Sequence, residues 1–327
     1  MASRRGVRWR AWLPRLLGLA LLPAILTRLD LGRVRQALQT ADVALVALAI
    51  VGTVPLILVK TVRWQALLRG QSIRLGLWPA FLAYFGSLFI GLLTPGRLGE
   101  FVKAGHVAQD CGVPLPVAFA SVLVDRLFDL YALLMVGSAA VFALTSGATA
   151  ALTLAGLVAV FVVPLALFLN DAAFRRLQGW GMRLGKIGER LLAEEGAVAG
   201  LRAGLCRLSR GRLLAAAALT AVAYGLFFGQ CYLLALALGL RIGFGTVSVA
   251  VALGSLVALL PVSIAGLGTR EAATIAYLRQ AGMAGEAAVA FSLLVFVTFY
   301  LGSGLFGAIA WWLKPVGGGT SSVKREA

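Results

Sequence analysis

Five long apolar segments constrain this chain more than any other feature of its sequence. They are residues 43–59, 127–144, 148–169, 213–238 and 289–313, and each is close to the roughly 20 residues that cross a hydrocarbon core as a helix. A bilayer interior cannot hydrogen-bond the backbone, so only helices and closed barrels span it. The segments are continuously apolar rather than alternating, which favours helices. The sequence therefore predicts an all-α polytopic integral membrane protein.

The composition agrees with this class and excludes several functions. Of the 327 residues, 60% are hydrophobic and 13% are charged, whereas roughly 25% of an ordinary globular domain is charged. A single histidine, His106, and three cysteines without metal or redox spacing exclude a metal cluster and a His-based catalytic triad. Because no nucleotide-binding motif is present either, we expect no cofactor, no metal and no soluble catalytic domain.

The basic residues predict how the chain is oriented. Lysine and arginine number 30 against 13 acidic residues, a formal net charge of +17. They gather in residues 1–15, 60–76, 171–212 and the C-terminal tail. Basic segments of membrane proteins face the cytoplasm and contact anionic headgroups, so we expect anionic membrane lipids as partners and no nucleic acid. Both termini are predicted to be cytoplasmic, in the bacterial cytoplasmic (inner) membrane.

The domain assignment is one transmembrane domain over residues 1–314 and a disordered cytoplasmic tail over residues 315–327. The N-terminus has the basic start of a signal peptide, but Leu26-Thr27-Arg28 is not a small-residue cleavage site. An uncleaved first helix is therefore predicted, with an interfacial helix as the alternative. Residues 171–212 place apolar residues near helical spacing among basic ones, which predicts an amphipathic helix at the cytoplasmic surface.

Two stretches, residues 77–126 and 239–287, do not fit a single crossing. If the basic segments share one side, the first stretch begins and ends in the cytoplasm and the second begins and ends outside. Each has a long apolar beginning and then a Pro and Gly break that carries charge, which predicts a re-entrant broken helix. Elements that enter from opposite faces form an inverted repeat, so we expect about six full spans and two re-entrant elements.

The two breaks also resemble each other in sequence. Residues 86–95 read GSLFIGLLTP and residues 254–261 read GSLVALLP. Each is followed by a glycine-rich piece that ends in a glutamate, Glu100 in the first copy and Glu271 in the second. The similarity supports the repeat, and chance similarity between membrane helices rich in small residues is the alternative.

Several charged residues lie in or beside apolar stretches. They are the acidic residues Glu100, Asp125, Asp129 and Glu271, with basic neighbours at Arg97, Lys103, Arg126 and Arg270. A charge in a membrane segment costs at least a few kcal/mol unless it is paired or hydrated, so these residues are candidates for a functional site. Glu100 with Lys103, and Arg126 with Asp129, share a helix face and can pair. Structural ion pairs or interfacial charges are the alternative.

The glycine-rich breaks have the features of an anion site. The glycines and prolines interrupt the helices next to Arg97 and Arg270, so backbone amides there lack partners within a helix. The N-terminus of a broken helix together with an arginine binds an anionic oxygen group such as a phosphate. For Asp125, Arg126 and Asp129, at a predicted helix start, a structural and a functional role are equally supported.

The sequence resembles the lysylphosphatidylglycerol synthase transmembrane-region family, also called flippase-like membrane proteins. The matching residues span nearly the whole chain, and they are Thr94 to Glu100 with Lys103, then Ser121, Asp125, Arg126 and Asp129, and finally Pro261, Gly266, Gly268 and Glu271. The Pro-Gly-x-x-Gly-Glu piece is intact and the Gly-x-Gly-x-x-Glu piece lies at residues 266–271. Asp125 replaces the glutamate that often precedes Arg126.

The resemblance implies two re-entrant elements and a lipid-sized cavity. In the larger bacterial members this domain is thought to move an aminoacylated phospholipid between leaflets, and a soluble aminoacyltransferase follows it. Only a short tail follows Lys314 here, so we expect no lipid aminoacylation. The implied cargo is a phospholipid, a polyprenyl-phosphate carrier or a hopanoid. The candidate lipid-binding residues are Pro95, Gly96, Arg97, Gly99, Glu100, Lys103, Asp125, Arg126, Asp129, Pro261, Gly266, Gly268, Arg270 and Glu271.

Three functions follow as hypotheses. The leading one is a lipid flippase in which Arg97, Lys103 and Arg270 hold the headgroup phosphate, and Glu100 and Glu271 balance charge or carry protons. The second is a membrane-embedded transferase acting on a lipid carrier, with Asp125 or Glu100 as its base. The third is a non-transporting regulator that binds a lipid-synthesis enzyme through residues 171–212. A homo-oligomer is compatible with all three.

Overall fold

A computed structural model of the protein describes residues 31–92, 94, 98–144, 151, 155, 156, 159, 170, 172, 175, 176, 209–259 and 268–314. Every regular element in those ranges is helical, which confirms the all-α class. The predicted first helix, nearly all of residues 148–169, most of the basic segment 171–212 and the tail 315–327 lie outside the described residues.

The described helices are numbered here in chain order. They are α1 (Leu31–Gln39), α2 (Val43–Val51), α3 (Thr53–Gly70), α4 (Leu77–Leu92), α5 (Lys103–Cys111), α6 (Leu115–Leu144), α7 (Arg210–Ala237), α8 (Phe244–Ala258), α9 (Thr269–Gln280), α10 (Gly285–Phe296) and α11 (Gly302–Leu313). A 3₁₀ turn at Leu98–Val102 precedes α5, and a π-helical turn at Val297–Leu301 joins α10 to α11. Polar caps mark two helix starts: Asp42 accepts from the amide of Ala44 before α2, and Ser209 from that of Arg212 before α7.

Three helical stretches of the described chain have the length and apolar character to cross a membrane. They are Val43–Gly70, Arg210–Ala237 and Gly285–Leu313, of 28, 28 and 29 residues. At 1.5 Å per residue each is about 42 Å long, which exceeds the ~30 Å hydrocarbon core. Large apolar side chains such as Leu214 and Trp312 remain exposed on them, as expected where lipid covers the surface. The chain is therefore a polytopic helical membrane protein.

The structure corrects one predicted boundary between α3 and a basic loop. The sequence predicts that a span ends at Val59 and that residues 60–76 form a cytoplasmic segment, but α3 continues to Gly70. Lys60 and Arg63 lie inside this helix, and Arg63 is 0% exposed. The predicted end of the span at Val59 is wrong because carboxylates on α6 compensate the charges of these two residues within the helix bundle.

A second correction concerns the start of α6. The sequence predicts a helix that begins near Leu127, with three charged residues at its start. The observed helix begins at Leu115 and runs for 30 residues. Asp125, Arg126 and Asp129 are therefore interior to the helix, about 15 Å or more from its first residue. Their burial is possible because neighbouring elements supply opposite charges, basic side chains for the two aspartates and Glu100 for Arg126.

Each of the two predicted broken-helix elements contains a short apolar helix and a later segment that packs back on it, and these two pairs are called here the first and the second hairpin. Helices α4 and α8 contain 16 and 15 residues, about 24 and 22 Å, which is less than the ~30 Å core. After each break the chain turns back, so that the 3₁₀ turn packs on α4 and α9 packs on α8. Glycines permit these contacts: a Cβ at Gly91 would lie 2.6 Å from Cγ of Glu100, and one at Gly254 would lie 3.1 Å from Cγ of Arg270.

Helices α4 and α11 pack closely along glycines. A Cβ at Gly307 would lie 2.9 Å from Cβ of Phe89, and one at Gly86 would lie 3.4 Å from the ring of Trp311. At another side of the bundle, α3 and α7 pack together, and Nη1 of Arg212 donates to the carbonyl of Arg69 at 3.2 Å. The last turn of α3 and the first turn of α7 therefore lie at the same end of the bundle.

Candidate functional site

An ion pair between α3 and α6 forms the centre of a buried ionic cluster. Nη2 and Nε of Arg63 donate to Oδ1 of Asp125 at 2.7 and 2.9 Å. Nη1 of the same guanidinium donates to Oγ1 of Thr220 at 3.0 Å and lies 2.9 Å from Oδ1 of Asp129. One arginine thus joins α3, α6 and α7 through polar contacts that replace water.

Lys103 completes the coordination of Asp125. Its Nζ donates to Oδ2 of Asp125 at 2.7 Å, and the hydroxyl of Tyr84 donates to the same oxygen at 3.1 Å. The ammonium lies 3.8 Å from the ring centroid of Tyr84 and 4.8 Å from that of Trp64, which adds cation–π attraction. Lys103 and Asp125 are both 0% exposed. This part of the cluster holds α5 against α6 and is closed to solvent.

Lys60, Arg126 and Asp129 form the outer part of the cluster. Nζ of Lys60 donates to Oδ1 of Asp129 at 3.1 Å. Nη1 of Arg126 lies 3.7 Å from Oδ2 of Asp129, so the predicted pair one turn apart on α6 is present. Arg126 also binds Glu100 of the 3₁₀ turn. Glu100 and Lys103 are predicted to share a helix face and can pair. In the structure each binds a residue of α6 instead, Glu100 binding Arg126 and Lys103 binding Asp125.

The cluster lies well inside the helices that supply it. Lys60 precedes the end of α3, and Asp125 and Thr220 follow the starts of α6 and α7, each by about ten residues or 15 Å. Removing these charges from water is costly, and mutual pairing and hydrogen bonding offset that cost.

A cavity of about 290 Å³ opens beside the outer part of the cluster. Most of its wall is apolar, and the apolar residues come from α3, α4, the 3₁₀ turn, α6, α7, α8, α10 and the π turn. Its charged lining residues, among those described, are Lys60, Arg126, Asp129 and Arg270. Thr53, Tyr224, Ser255 and Ser303 supply hydroxyl groups. The site therefore combines an apolar chamber with a cationic wall.

The second hairpin brings Arg270 to the cavity from the start of α9. Gly268 has a φ of 79°, a left-handed value that favours glycine, and its amide donates to Oε2 of Glu271 at 2.7 Å. Glu271 therefore caps its own helix and also binds Arg270. The Arg270 guanidinium carbon lies 5.3 Å from the ring centroid of Phe296. Glu271 fixes the helix start, and Arg270 reaches the cavity.

The predicted site residues fall into four groups. Arg126, Asp129 and Arg270 line the cavity, whereas Glu100, Lys103, Asp125 and Glu271 are buried and are not among its described lining residues. Gly99 packs against Ile90, and its amide donates to Thr94. Gly268 begins α9. Pro95, Gly96, Arg97, Pro261 and Gly266 lie outside the described residues.

Sequence reasoning missed Lys60 and Arg63, which complete the site from α3. A signal for them exists in the sequence. The buried residues Leu56, Ile57, Arg63, Trp64 and Leu67 continue one helical face through residue 60 and beyond, with the spacing of an amphipathic stripe. Because this apolar pattern does not stop at Val59, it indicates that the helix and its buried face continue past both charges.

Comparisons with known proteins identify the family of this chain. The chain is 25% identical over 303 residues to a UPF0104 membrane protein of Pyrococcus horikoshii, which covers 85% of this chain and 90% of the relative. It is 29% identical over 175 residues to a UPF0104 membrane protein of Methanothermobacter thermautotrophicus, over 50% of this chain and 52% of the relative. Residues 11–307 match the family described as the lysylphosphatidylglycerol synthase TM region. The protein therefore belongs to this membrane-protein family.

Proposed function

We propose that this protein is a lipid transporter that holds an anionic headgroup in the cavity while the headgroup moves between leaflets. The observation that carries the proposal is the charge of the cavity wall. Lys60, Arg126 and Arg270 contribute three cations against the single carboxylate of Asp129, within the described lining. An excess of positive charge in the chamber attracts an anion, and the apolar walls screen this attraction only weakly.

The origin of the cations also supports the proposal. Lys60 belongs to α3, Arg126 to α6 and Arg270 to the second hairpin, so three separate elements converge on one chamber. Guanidinium groups bind phosphate oxygens in a bidentate manner, while the lysine ammonium offers a point charge. We assign the headgroup phosphate to Arg126 and Arg270, with Lys60 as an additional counter-charge. This assignment replaces Lys103, whose ammonium is committed to Asp125.

The geometry gives less support to a transferase with Asp125 as its base. Both carboxylate oxygens of Asp125 accept hydrogen bonds, Oδ1 from Arg63 and Oδ2 from Lys103 and Tyr84. Its side chain is 0% exposed and is not among the described lining residues of the cavity. A base must reach the proton that it removes, and this carboxylate is held away from the chamber.

Reconstitution into proteoliposomes tests the proposal. Fluorescent phosphatidylglycerol in the inner leaflet should become accessible to an impermeant quencher faster with the protein than in protein-free vesicles. Arg126→Gln and Arg270→Gln should each reduce the protein-dependent rate by about tenfold or more, the effect of losing about 1.4 kcal/mol or more of anion binding. Arg241→Gln is the matched control because Arg241 is exposed between α7 and α8.

Three results would contradict the proposal. A new covalent lipid product would support the membrane-embedded transferase. An absence of both transbilayer movement and product would support a regulator of a lipid-synthesis enzyme. Equal rates for wild type, Arg126→Gln and Arg270→Gln would show that movement does not depend on the cavity cations.

A further inference from the structure

We propose that the cavity contains a second, neutral subsite, formed by Thr53 and Ser303, that binds a hydroxyl group of the cargo headgroup. The cargo is then a phosphodiester of a small polyol, in which the phosphate is anionic and the alcohol carries free hydroxyl groups. The inference rests on the proposed transport function and specifies the chemistry of the headgroup beyond its phosphate.

The hydroxyl of Thr53 is buried in the cavity wall without a partner. Thr53 is 1% exposed and lines the cavity, and its Oγ1 makes no hydrogen bond to the described part of the chain. A buried hydroxyl left unpaired is costly, and nearly all such groups in native structures have a partner. An unpaired hydroxyl in a cavity wall therefore indicates a ligand that completes its hydrogen bonds.

Another buried threonine of the same helix shows why Thr53 is unpaired. Thr61 donates to the carbonyl of Ile57, four residues earlier, at 2.7 Å, which is the common hydrogen bond of a threonine inside a helix. The corresponding carbonyl for Thr53 is that of Ala49, and it accepts instead from Nε2 of Gln230 at 3.2 Å. The Thr53 hydroxyl therefore remains available to the cavity.

Ser303 brings a second hydroxyl to this part of the cavity from α11. A Cβ at the preceding residue, Gly302, would lie 3.9 Å from Cγ2 of Ile50, so the start of α11 lies beside the end of α2. Thr53 follows Ile50 by three residues, about one helical turn, and both hydroxyl-bearing residues line the cavity. Because a hydroxyl both donates and accepts hydrogen bonds, the pair suits a neutral hydroxyl group of a ligand.

The hydroxyl subsite lies away from the cationic wall. Thr53 and Lys60 are seven residues apart on α3, about two turns or 10 Å along the helix. Both line the cavity, and Leu56 and Ile57 line it between them. A headgroup whose phosphate is held by the cations must therefore extend beyond that phosphate to reach Thr53. The alcohol esterified to the phosphate is the part of a phospholipid headgroup that can do so.

An ammonium group suits this end of the cavity less well than a hydroxyl group. The carboxylate of the described lining is that of Asp129, and its Oδ1 lies 3.1 Å from Nζ of Lys60 and 2.9 Å from Nη1 of Arg63. These two cations already occupy the position that an ammonium would take. A buried cation needs an opposite charge, whereas a hydroxyl group needs only the hydrogen bonds that Thr53 and Ser303 offer.

The volume of the cavity limits the size of the alcohol. About 290 Å³ is close to the lower limit of the roughly 300–1,000 Å³ of ligand pockets. A phosphate with a small polyol such as glycerol is compatible with this volume, and the acyl chains remain in the bilayer.

Two fluorescent lipids with the same acyl chains and the same charge test the subsite in proteoliposomes. Phosphatidylglycerol carries free hydroxyl groups on the alcohol of its phosphodiester, whereas phosphatidylpropanol carries none. Wild-type protein should move phosphatidylglycerol at least about fivefold faster, a factor that corresponds to about 1 kcal/mol. The reason is that the propyl group covers the Thr53 hydroxyl without offering it a hydrogen bond.

Substitution of Thr53 should abolish this preference. Thr53→Val removes the hydroxyl and should lower the ratio of the two rates by about fivefold, whereas Thr53→Ser keeps the hydroxyl and should keep the ratio. Thr61→Val is the matched control, because Thr61 donates within its own helix and is not among the described lining residues. A wild-type ratio in a folded Thr53→Val protein would overturn the inference.

A second pair of variants keeps the test decisive if Thr53→Val does not fold. Ser303→Ala removes the other hydroxyl of the subsite and should lower the ratio. Ser248→Ala should keep it, because Ser248 donates to the carbonyl of Phe244 at 2.8 Å and is not among the described lining residues. Equal ratios in these two variants would contradict the subsite.

The two lipids also separate this inference from the proposed function. Equal protein-dependent rates for phosphatidylglycerol and phosphatidylpropanol with wild-type protein would overturn the hydroxyl subsite and leave anionic lipid transport standing. Wild-type protein that moves neither lipid would overturn the proposed function itself, and the inference with it.

Discussion

Arg63 and Asp125 form an ion pair in which both side chains are completely buried, with Nη2 of Arg63 2.7 Å from Oδ1 of Asp125. The pair connects α3 to α6 at the depth of the cavity. Lys103 and Tyr84 bind the second carboxylate oxygen, so the first hairpin depends on the same aspartate. The position of Arg126 and Asp129 on α6 is therefore fixed by residues that are not among the described lining of the cavity.

Removing one member of this pair should destabilise the protein. Arg63→Met leaves Asp125 buried without its main counter-charge, a change that costs about 3–5 kcal/mol in comparable buried pairs. Thermal unfolding of the detergent-solubilised protein measures the loss. Arg63→Met with Asp125→Leu should recover part of it because no unpaired charge remains. Arg69→Gln, at an exposed arginine of the same helix, is the control and should unfold near the wild-type temperature.

Arg270 should be sensitive to replacement by lysine. A lysine at this position keeps the charge but loses bidentate binding of phosphate, so Arg270→Lys should lower lipid movement by about tenfold or more while expression stays near normal. Arg279→Lys, at an exposed position of α9, is the matched control. A transport rate for Arg270→Lys equal to that of wild type would assign Arg270 a counter-ion role only.

Gly254 should be intolerant of a side chain. A Cβ there would lie 3.1 Å from both Cγ and the carbonyl oxygen of Arg270, so Gly254→Ala should displace α9 and reduce both thermal stability and transport. Gly245 lies in the same helix, and a Cβ at that position would meet no atom of a neighbouring element within 4 Å. Gly245→Ala should be neutral or stabilise by up to about 1 kcal/mol, the helix preference of alanine over glycine. Equal effects of the two changes would argue against close packing in the hairpin.

The predicted orientation is open to cysteine labelling. In a background without Cys111, Cys206 and Cys231, Arg241→Cys should react with an impermeant maleimide in intact cells, whereas Arg183→Cys should react only after permeabilisation. The reason is that the positive-inside rule predicts a cytoplasmic location for the basic segment around residue 183. Labelling of the cysteine at 183 in intact cells would refute this topology.

The fold class and part of the site could be predicted from the sequence, for identifiable reasons. Continuous apolar segments predict helices in any bilayer, and Gly-rich breaks with charge predict the hairpins. The partners of the buried charges could not be predicted in this way, because they depend on contacts between residues far apart in the sequence. Asp125 meets Arg63 across 62 positions of the chain and Arg63 meets Thr220 across 157. Local spacing suggests an ion pair between Glu100 and Lys103. Only tertiary packing shows that Glu100 binds Arg126 and that Lys103 binds Asp125.

The close contact of α4 with α11 limits where this protein can change shape. At Gly86 and Gly307 the two helices approach each other without a layer of flexible side chains between them. The helices could therefore slide past each other only if they first separated. Helices α4 and α11 therefore behave as one rigid unit. If the protein transports lipid as proposed, the movement that opens the chamber is expected between these two helices and α8 and α9, which supply the opposite part of the cavity lining. Helix α11 would then belong to the part of the protein that stays fixed during the proposed transport.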